Sequence, residues 1–522
     1  MKEGRGVIFY RAASIKIPRK VIAALQKICS EENVYCSDNP RIAYSRDSST
    51  SKLLESHAGK ISQLPDVVVI PKNAEEISKI LALANLHKIP VIAYGGGSGV
   101  CGAAVPAKGG IVIDIKRLDK ILSIDREHLI ARVQTGIVGE ILERELNVAG
   151  YTLGHFPSSI YSATLGGYLA CRSAGQLSTK YGKIEDMVQA LTVCLADGKT
   201  IQVHAEEKNS LQDLFVGSEG TLGVITEASL KIHPLPEARQ FVGYRFSNLS
   251  QGLEAIRLFM QRGLRPAVVR LYDPFDSFFF QFKGGSDSSS SWSEKLTSMI
   301  PESVKSLFME LHRQSFQGIL SEASALNRFI DWVFSSCLLI LGFEGPAWKV
   351  KWESHQVNKI CEFEKGKNLG EEVGLRWLKK RYSMGYKLSP LIAQDCFADT
   401  MEVAAPWSKL EELYKNVKKA ISPKALVMAH FSHAYHEGCS IYFTFAAHAS
   451  SYEGNLRLHR EIWDLALKAT AQSGGTISHH HGVGSLKAQA LVEQLGPLMA
   501  WFKKTKQVLD PKGILNPGKM GL

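Results

Sequence analysis

The sequence predicts an α+β protein, and three observations carry that reading. From Pro65 onward, short β-branched runs alternate with amphipathic helical stretches. After Pro234-Leu235-Pro236 the alternation gives way to longer strands mixed with helices. A glycine-rich stretch then returns late in the chain, from Gly474 to Gly484. Four segments follow: an N-terminal helical region (1–64), a first mixed domain (65–235), a second domain (236–465) and a C-terminal segment (466–522).

Each element has a local reason. Val67 to Ile70 is a strand, and Asn73 to Leu86 a helix with Ile77, Ile80, Leu81 and Ala84 on one face. Asn73 with Glu76 three residues on reads as a capping box. Val91 to Tyr94 completes a βαβ unit, and Ile111 to Ile115, Leu129 to Val133 and Leu191 to Leu195 are further strands, with a helix from Gly139 to Ala149. In the second domain, Phe241 to Phe246, Ala267 to Tyr272, Leu338 to Phe343 and Ser440 to Phe445 are strands, with a loop at Gly284 to Ser291.

Composition excludes several classes. Over 522 residues, 45% hydrophobic and 22% charged is a globular profile with core enough to need no disulfide staples. Lys plus Arg exceed Asp plus Glu by 62 − 51 = 11 without a polybasic block, which suits anionic partners such as phosphates, carboxylates or an acidic lipid surface but fits a merely basic surface better when taken alone. Nine cysteines with no CxxC pair read as buried apolar residues. No uncharged apolar run reaches the roughly 18 residues of a membrane span. The N-terminus suggests no signal or transit segment, and the chain ends Lys519-Met520-Gly521-Leu522 without a peroxisomal tripeptide, so a cytoplasmic place is expected.

The chemistry is carried by glycine and histidine. Gly95-Gly96-Gly97-Ser98-Gly99 directly follows a strand, where successive main-chain N–H groups can converge on a diphosphate. Taken alone, the loop fits a tight turn equally well. Three more small-residue stretches accompany it: Pro157 to Gly167, Cys171-Arg172-Ser173-Ala174-Gly175, and Gly217 to Thr226.

Together these four stretches resemble the flavin-binding domain of the vanillyl-alcohol-oxidase or p-cresol-methylhydroxylase (PCMH) type. Within it the chain is most similar to the alkylglycerone-phosphate synthase family, through the glycine loop, Tyr181 to Asp186, Arg270-Leu271-Tyr272-Asp273, Ala405-Pro406-Trp407, Ile441 to Phe445 and His479-His480-His481. The resemblance implies a PCMH-type two-subdomain FAD-binding domain and a cap domain with an antiparallel sheet and helices, the C-terminal segment returning to the flavin site. FAD contacts are implied at Ala93, Tyr94, Gly95, Gly96, Gly97, Ser98 and Gly99; at Pro157, Ser158, Ser159, Ile160, Tyr161, Ser162 and Ala163; at Cys171, Arg172, Ser173 and Ala174; and at Glu219, Gly220, Thr221, Leu222, Gly223, Val224 and Ile225. Gly97 stands where some relatives carry a flavin-linking histidine, so noncovalent FAD is expected.

The resemblance further implies exchange of the acyl group of acyl-dihydroxyacetone phosphate for a long-chain alcohol, without net oxidation. Catalytic candidates are Tyr442, His479, His480, His481 and Arg270. Imidazoles titrate near neutrality, and Tyr442 would act as acid and base with its phenol pKa depressed by nearby histidines or the flavin. Where the family has an arginine implicated in substrate binding, this chain has Leu388, leaving Lys387, which lacks the planar fork for bidentate phosphate binding, as the substrate-binding candidate. The competing reading is an FAD-dependent 2-hydroxy-acid dehydrogenase or oxidase of the D-lactate or glycolate type. Here, however, Tyr442 and His480 stand where that group has a metal-binding histidine and glutamate, so no metal is expected. His430, His433 and His436 read as core or solvent-facing side chains. Expected partners are a lipid or small-molecule acid and no nucleic acid, with peripheral membrane contact and a homodimer left open.

Overall fold

The computed structural model describes residues 14–205, 211–282, 316–382 and 389–522. Gly284 to Ser291, Lys387 and Leu388 lie outside the described residues. The chain forms two compact units. One takes in the residues up to Gly175, Gly182–Leu235 and His480–Leu522, and the other Gln176–Tyr181 and Pro236–His479.

Among the described residues the first unit holds two larger sheets and a two-stranded ribbon pairing Tyr151–Thr152 with His233–Pro234. In the smaller of the two sheets, strands lie in the order Val34–Tyr35, Val67–Val69, Ile111–Asp114, Val91–Tyr94, the last three mutually parallel. The expected βαβ unit is present, with Ile111–Asp114 inserted between its two strands. Helix Ala74–His87 makes the crossover, and Asn73 accepts from the Glu76 N–H at 2.9 Å. The reciprocal arm of the capping box lands one residue early, because the Glu76 carboxylate takes the Lys72 N–H at 2.7 Å.

Ile77, Ile80, Leu81 and Ala84 face Val67, Val69, Ile111 and Ile113, joined by Val21, Leu25 and Cys29 from helix Arg19–Cys29. Ile514 and Leu515 enter the same core, since Val91 N donates to Ile514 O at 2.7 Å and Asn516 N to Val91 O at 2.8 Å. The chain's end therefore extends the sheet edge that launches the glycine loop. The larger sheet is antiparallel in the order Ile121–Asp125, Ile130–Gln134, Val224–Lys231, Val188–Cys194, Thr200–His204.

The second unit is built on a seven-stranded antiparallel sheet. Its order is Lys367–Asn368, Ala238–Phe246, Cys337–Gly345, Val268–Tyr272, Leu426–Ala434, Gly438–His448, Cys396–Pro406. Strand alternation sends Leu271, Phe431, Ile441 and Val403 to one face, where all are fully buried. Helix Trp407–Ile421 covers part of it, with Tyr414 against Phe431 and Phe443. The opposite face is left for polar groups. The expected boundary at 465/466 falls inside helix Tyr452–Gln472, whose first turn is capped by Ser451, and the chain leaves this unit only after His479.

Candidate active site

In the first unit, the glycine loop packs directly onto the second predicted contact segment. A Cβ on Gly96 would lie 1.7 Å from Ser162 O, and one on Gly95 2.2 Å from Thr164 Oγ1. Gly97 has φ +62°, and its Cβ would meet the Tyr94 hydroxyl at 2.1 Å. Only glycine lets this backbone lie so close to its neighbours. Among the described residues, no main-chain N–H from Gly95 to Gly99 donates to a protein acceptor, so the loop presents its amides unspent.

The third and fourth segments meet the C-terminal stretch. The Glu219 carboxylate accepts from Val483 N and, at 2.8 Å, from Gly484 N. Asn516 Nδ2 ties Ala103 O at 2.9 Å to Glu219 O at 2.7 Å. Arg172 is spent on Val216 O and Asp213 O at 3.1 and 3.2 Å, and Thr221 Oγ1 on Ser218 O at 2.7 Å. What Glu219 and Arg172 offer a ligand is therefore chiefly main chain. Lys519, 1% exposed, has no hydrogen-bond partner for its ammonium, and burial pushes its pKa down to about 8 although Asp47 and Glu219 pull it up. Unspent amides, glycine-only approach and a buried uncommitted cation fit an anionic dinucleotide.

His155 belongs to the same unit and was missed in the sequence. It is buried with Nε2 3.1 Å from Ser173 Oγ and its ring beside Tyr168, and burial lowers its pKa to about 3. His480 and His481 also fall in this unit, their rings 4.7 Å apart at 77°.

In the second unit, strand register aligns one polar row across four neighbouring strands: Tyr272 opposite His430, His430 opposite Tyr442, and Tyr442 opposite Glu402. Arg270, two residues from Tyr272, shares this face, its Nη2 3.4 Å from His430 Nδ1 and its guanidinium over the Tyr272 ring at 5.2 Å. His430 and Tyr442 stack at 5.0 Å with planes 16° apart. Asp276, from helix Pro274–Phe282, places Oδ2 3.1 Å from His430 Nδ1. Glu402 is fully buried and receives the His479 N–H on both oxygens, at 2.9 and 2.7 Å, and the Ser478 hydroxyl at 3.2 Å.

His433 interrupts its strand with φ +55° at a bulge, and its Nδ1 lies 2.7 Å from Ser178 Oγ, which also accepts from Tyr435 at 3.3 Å. The His479 ring stands 5.9 Å from His433 and 5.5 Å from Tyr435. Tyr442, Arg270 and His479 are thus assembled on one unit. His430 and His433 are buried there, as the core reading expects, while His436 is exposed.

The depressed phenol pKa expected for Tyr442 is not what this environment produces. Burial, helped by Glu402, pushes it up to about 12 against the opposing pull of Thr400 and Arg270. Near neutrality Tyr442 therefore keeps its phenolic proton. Burial and Arg270 likewise hold His430 neutral, well below its ordinary value. Glu402, Asp276, Ser178 and Tyr435 were also missed. The alternation of the two strands after Ala425 is the signal that could have paired His430 with Tyr442.

Residues 65–204 match the FAD binding domain family, and residues 235–300 and 319–520 match the C-terminal domain of FAD linked oxidases. An alkyldihydroxyacetonephosphate synthase of Caenorhabditis elegans is 32% identical over 87% of this chain and 76% of its own. The chain belongs to the alkyldihydroxyacetonephosphate synthase family. The family's Dictyostelium discoideum member is 29% identical over 92% of this chain and 77% of its own. A solved alkyldihydroxyacetonephosphate synthase superposes with TM-score 0.78 at 27% identity, covering 97% of this chain and 86% of that one. p-Cresol methylhydroxylase, at TM-score 0.72 and 16% identity, shares the fold, so the PCMH-type expectation is borne out. A Bacillus subtilis glycolate oxidase subunit is also similar, at 27% identity over 97% of both chains. The chain is an FAD-linked enzyme of this family. Among the described residues, no helix is long and apolar enough to cross a membrane.

Proposed function

We propose that this protein forms an ether bond, exchanging the acyl group of acyl-dihydroxyacetone phosphate for a long-chain alcohol and releasing the fatty acid. FAD, held noncovalently by the four small-residue segments, supplies when bound a ring that takes and returns an electron pair. Every other step belongs to side chains. Tyr442, kept protonated by burial, donates to the departing carboxylate oxygen. The phenolate so formed takes back the alcohol's proton, which restores Tyr442 at the end of the cycle, and Arg270 supplies the cation nearest this chemistry. The exchange needs no external electron acceptor.

The observation that carries this reading is Tyr442 itself. A 2-hydroxy-acid dehydrogenase needs a base to take the hydroxyl proton as hydride leaves, and neither a phenol titrating at about 12 nor the neighbouring His430, held well below its ordinary value, is suited to that. Lys387 remains the candidate contact to substrate, and His480 and His481 remain candidates beside the flavin. Lipid substrates favour a cytoplasmic enzyme working at a membrane surface. The test is to supply the purified holoenzyme anaerobically with acyl-dihydroxyacetone phosphate and hexadecanol. Alkyl ether with one equivalent of fatty acid is expected; bleaching of the flavin by D-lactate or glycolate, with no ether formed, would establish the alternative.

A further inference from the structure

The buried carboxyl of Asp276 has no place in the exchange as described so far. It sits in the first turn of helix Pro274–Phe282, held there by its own N–H, which donates to Asp273 Oδ1 at 2.8 Å. Its Oδ2 lies 3.1 Å from His430 Nδ1, and the Arg270 Nη2 lies 3.4 Å from the same nitrogen. One ring nitrogen carries either a hydrogen or a lone pair, so it cannot donate to the carboxylate and accept from the guanidinium at once. The shorter contact is to the carboxylate. With Nδ1–H given to Asp276, the guanidinium is left as the charge that balances Asp276, and the imidazole lone pair is confined to Nε2.

We propose that Asp276 is a positioning residue for the reaction at Tyr442, its carboxylate fixing the tautomer and plane of the His430 imidazole that lies against the Tyr442 ring. This rests on the synthase reading for its kinetic consequence, though not for its structural one. A carboxylate behind an imidazole holds one tautomer and one orientation, which a neutral amide able to donate as well as accept does not enforce. The groups facing His430 are Arg270 and Tyr272 from strand Val268–Tyr272, Asp276 from its helix, Tyr442 from strand Gly438–His448, and His433 on its own strand. Of these, Asp276 is the acid that meets the ring nitrogen; Asp276 itself faces Arg270, Tyr272 and Asp273, whose carboxyl accepts the Asp276 N–H and is likewise raised to about 7 by burial. Burial raises its carboxyl to about 7 against the pull of Arg270, so the carboxylate form that accepts from Nδ1 is lost as pH falls below that value.

The test compares Asp276→Asn and Asp276→Glu with the parent holoenzyme, retained flavin absorbance serving as the check on folding. Histidine-selective 15N spectra, with His430 assigned by its loss in His430→Gln, should report protonated Nδ1 and bare Nε2 in the parent, a mixture of tautomers in Asp276→Asn, and the parent pattern in Asp276→Glu. Ether synthesis should fall roughly 10- to 100-fold in kcat in Asp276→Asn, with KM little changed, the scale seen when a partner orienting a functional imidazole is removed. The acid limb of its pH profile should vanish, and Asp276→Glu should restore it. An unchanged His430 tautomer in Asp276→Asn overturns the proposal whether or not the protein makes ether. A parent that makes no ether while its His430 signals respond as expected overturns the synthase reading alone.

Discussion

Tyr442 and His430 stand opposite each other on adjacent strands with rings nearly parallel, centroids 5.0 Å apart and planes 16° apart. Glu402 flanks Tyr442 from the other side by the same register. The phenol therefore sits in the middle of a row, with a neutral ring on one side and a buried carboxyl on the other. That placement keeps its proton on, and of the acid and base roles expected of Tyr442 it favours the acid.

Glu402 anchors the start of the histidine run through two bonds from the His479 N–H and one from Ser478. Glu402→Ala leaves that half-buried N–H without its acceptor, and about 1–3 kcal/mol of stability should be lost. Urea denaturation should show an earlier transition, and ether synthesis should fall further than stability alone explains because His479 is no longer held.

At Gly97, in the proposed flavin cradle, both the backbone conformation and the packing exclude a side chain. Its φ of +62° costs a non-glycine residue roughly 1–2 kcal/mol, and its Cβ would collide with the Tyr94 hydroxyl, itself donating to Arg46 O at 2.8 Å. Gly97→Ala should purify with substoichiometric FAD. In the parent protein, heat or acid precipitation should release all the yellow colour into the supernatant, as noncovalent attachment requires.

The buried imidazole of His155 makes the first unit sensitive to acid. Its pKa in the fold, about 3, lies below its unfolded value of roughly 6.5, so the unfolded chain binds the extra proton first. The neutral ring costs nothing above pH 6.5, and stability drains away as pH falls from there toward 3, by up to about 4–5 kcal/mol. His155→Gln removes this contribution. Its thermal midpoint should therefore fall less steeply than the parent's between pH 6.5 and 4.

Much of this was legible in the residues. Val67 to Val69, Ala74 to His87 and Val91 to Tyr94 are set by local pattern and capping, and the glycine loop announces itself because only glycine permits such contacts. Of the polar row, only the His430–Tyr442 pair lay within reach of local alternation, because the rest depends on the pairing of strands far apart in sequence. Glu402 meets Tyr442 across 40 residues, and the bulge at His433 shifts the register on which any such pairing would be counted. Asp276 was hidden for a different reason: it sits among Phe275, Phe278 and Phe279, where a helix reads as core. The direction of the Tyr442 pKa could not be foreseen either, since it is decided by burial and by Glu402.

The central claim is that a protonated Tyr442 drives an exchange without net oxidation, and Tyr442→Phe tests it most directly. The variant should bind FAD with an unaltered visible spectrum and lose ether formation by roughly 100- to 10,000-fold, the contribution of a positioned proton donor. A Tyr442→Phe holoenzyme that releases fatty acid and forms alkyl ether at the parent's rate would contradict the account.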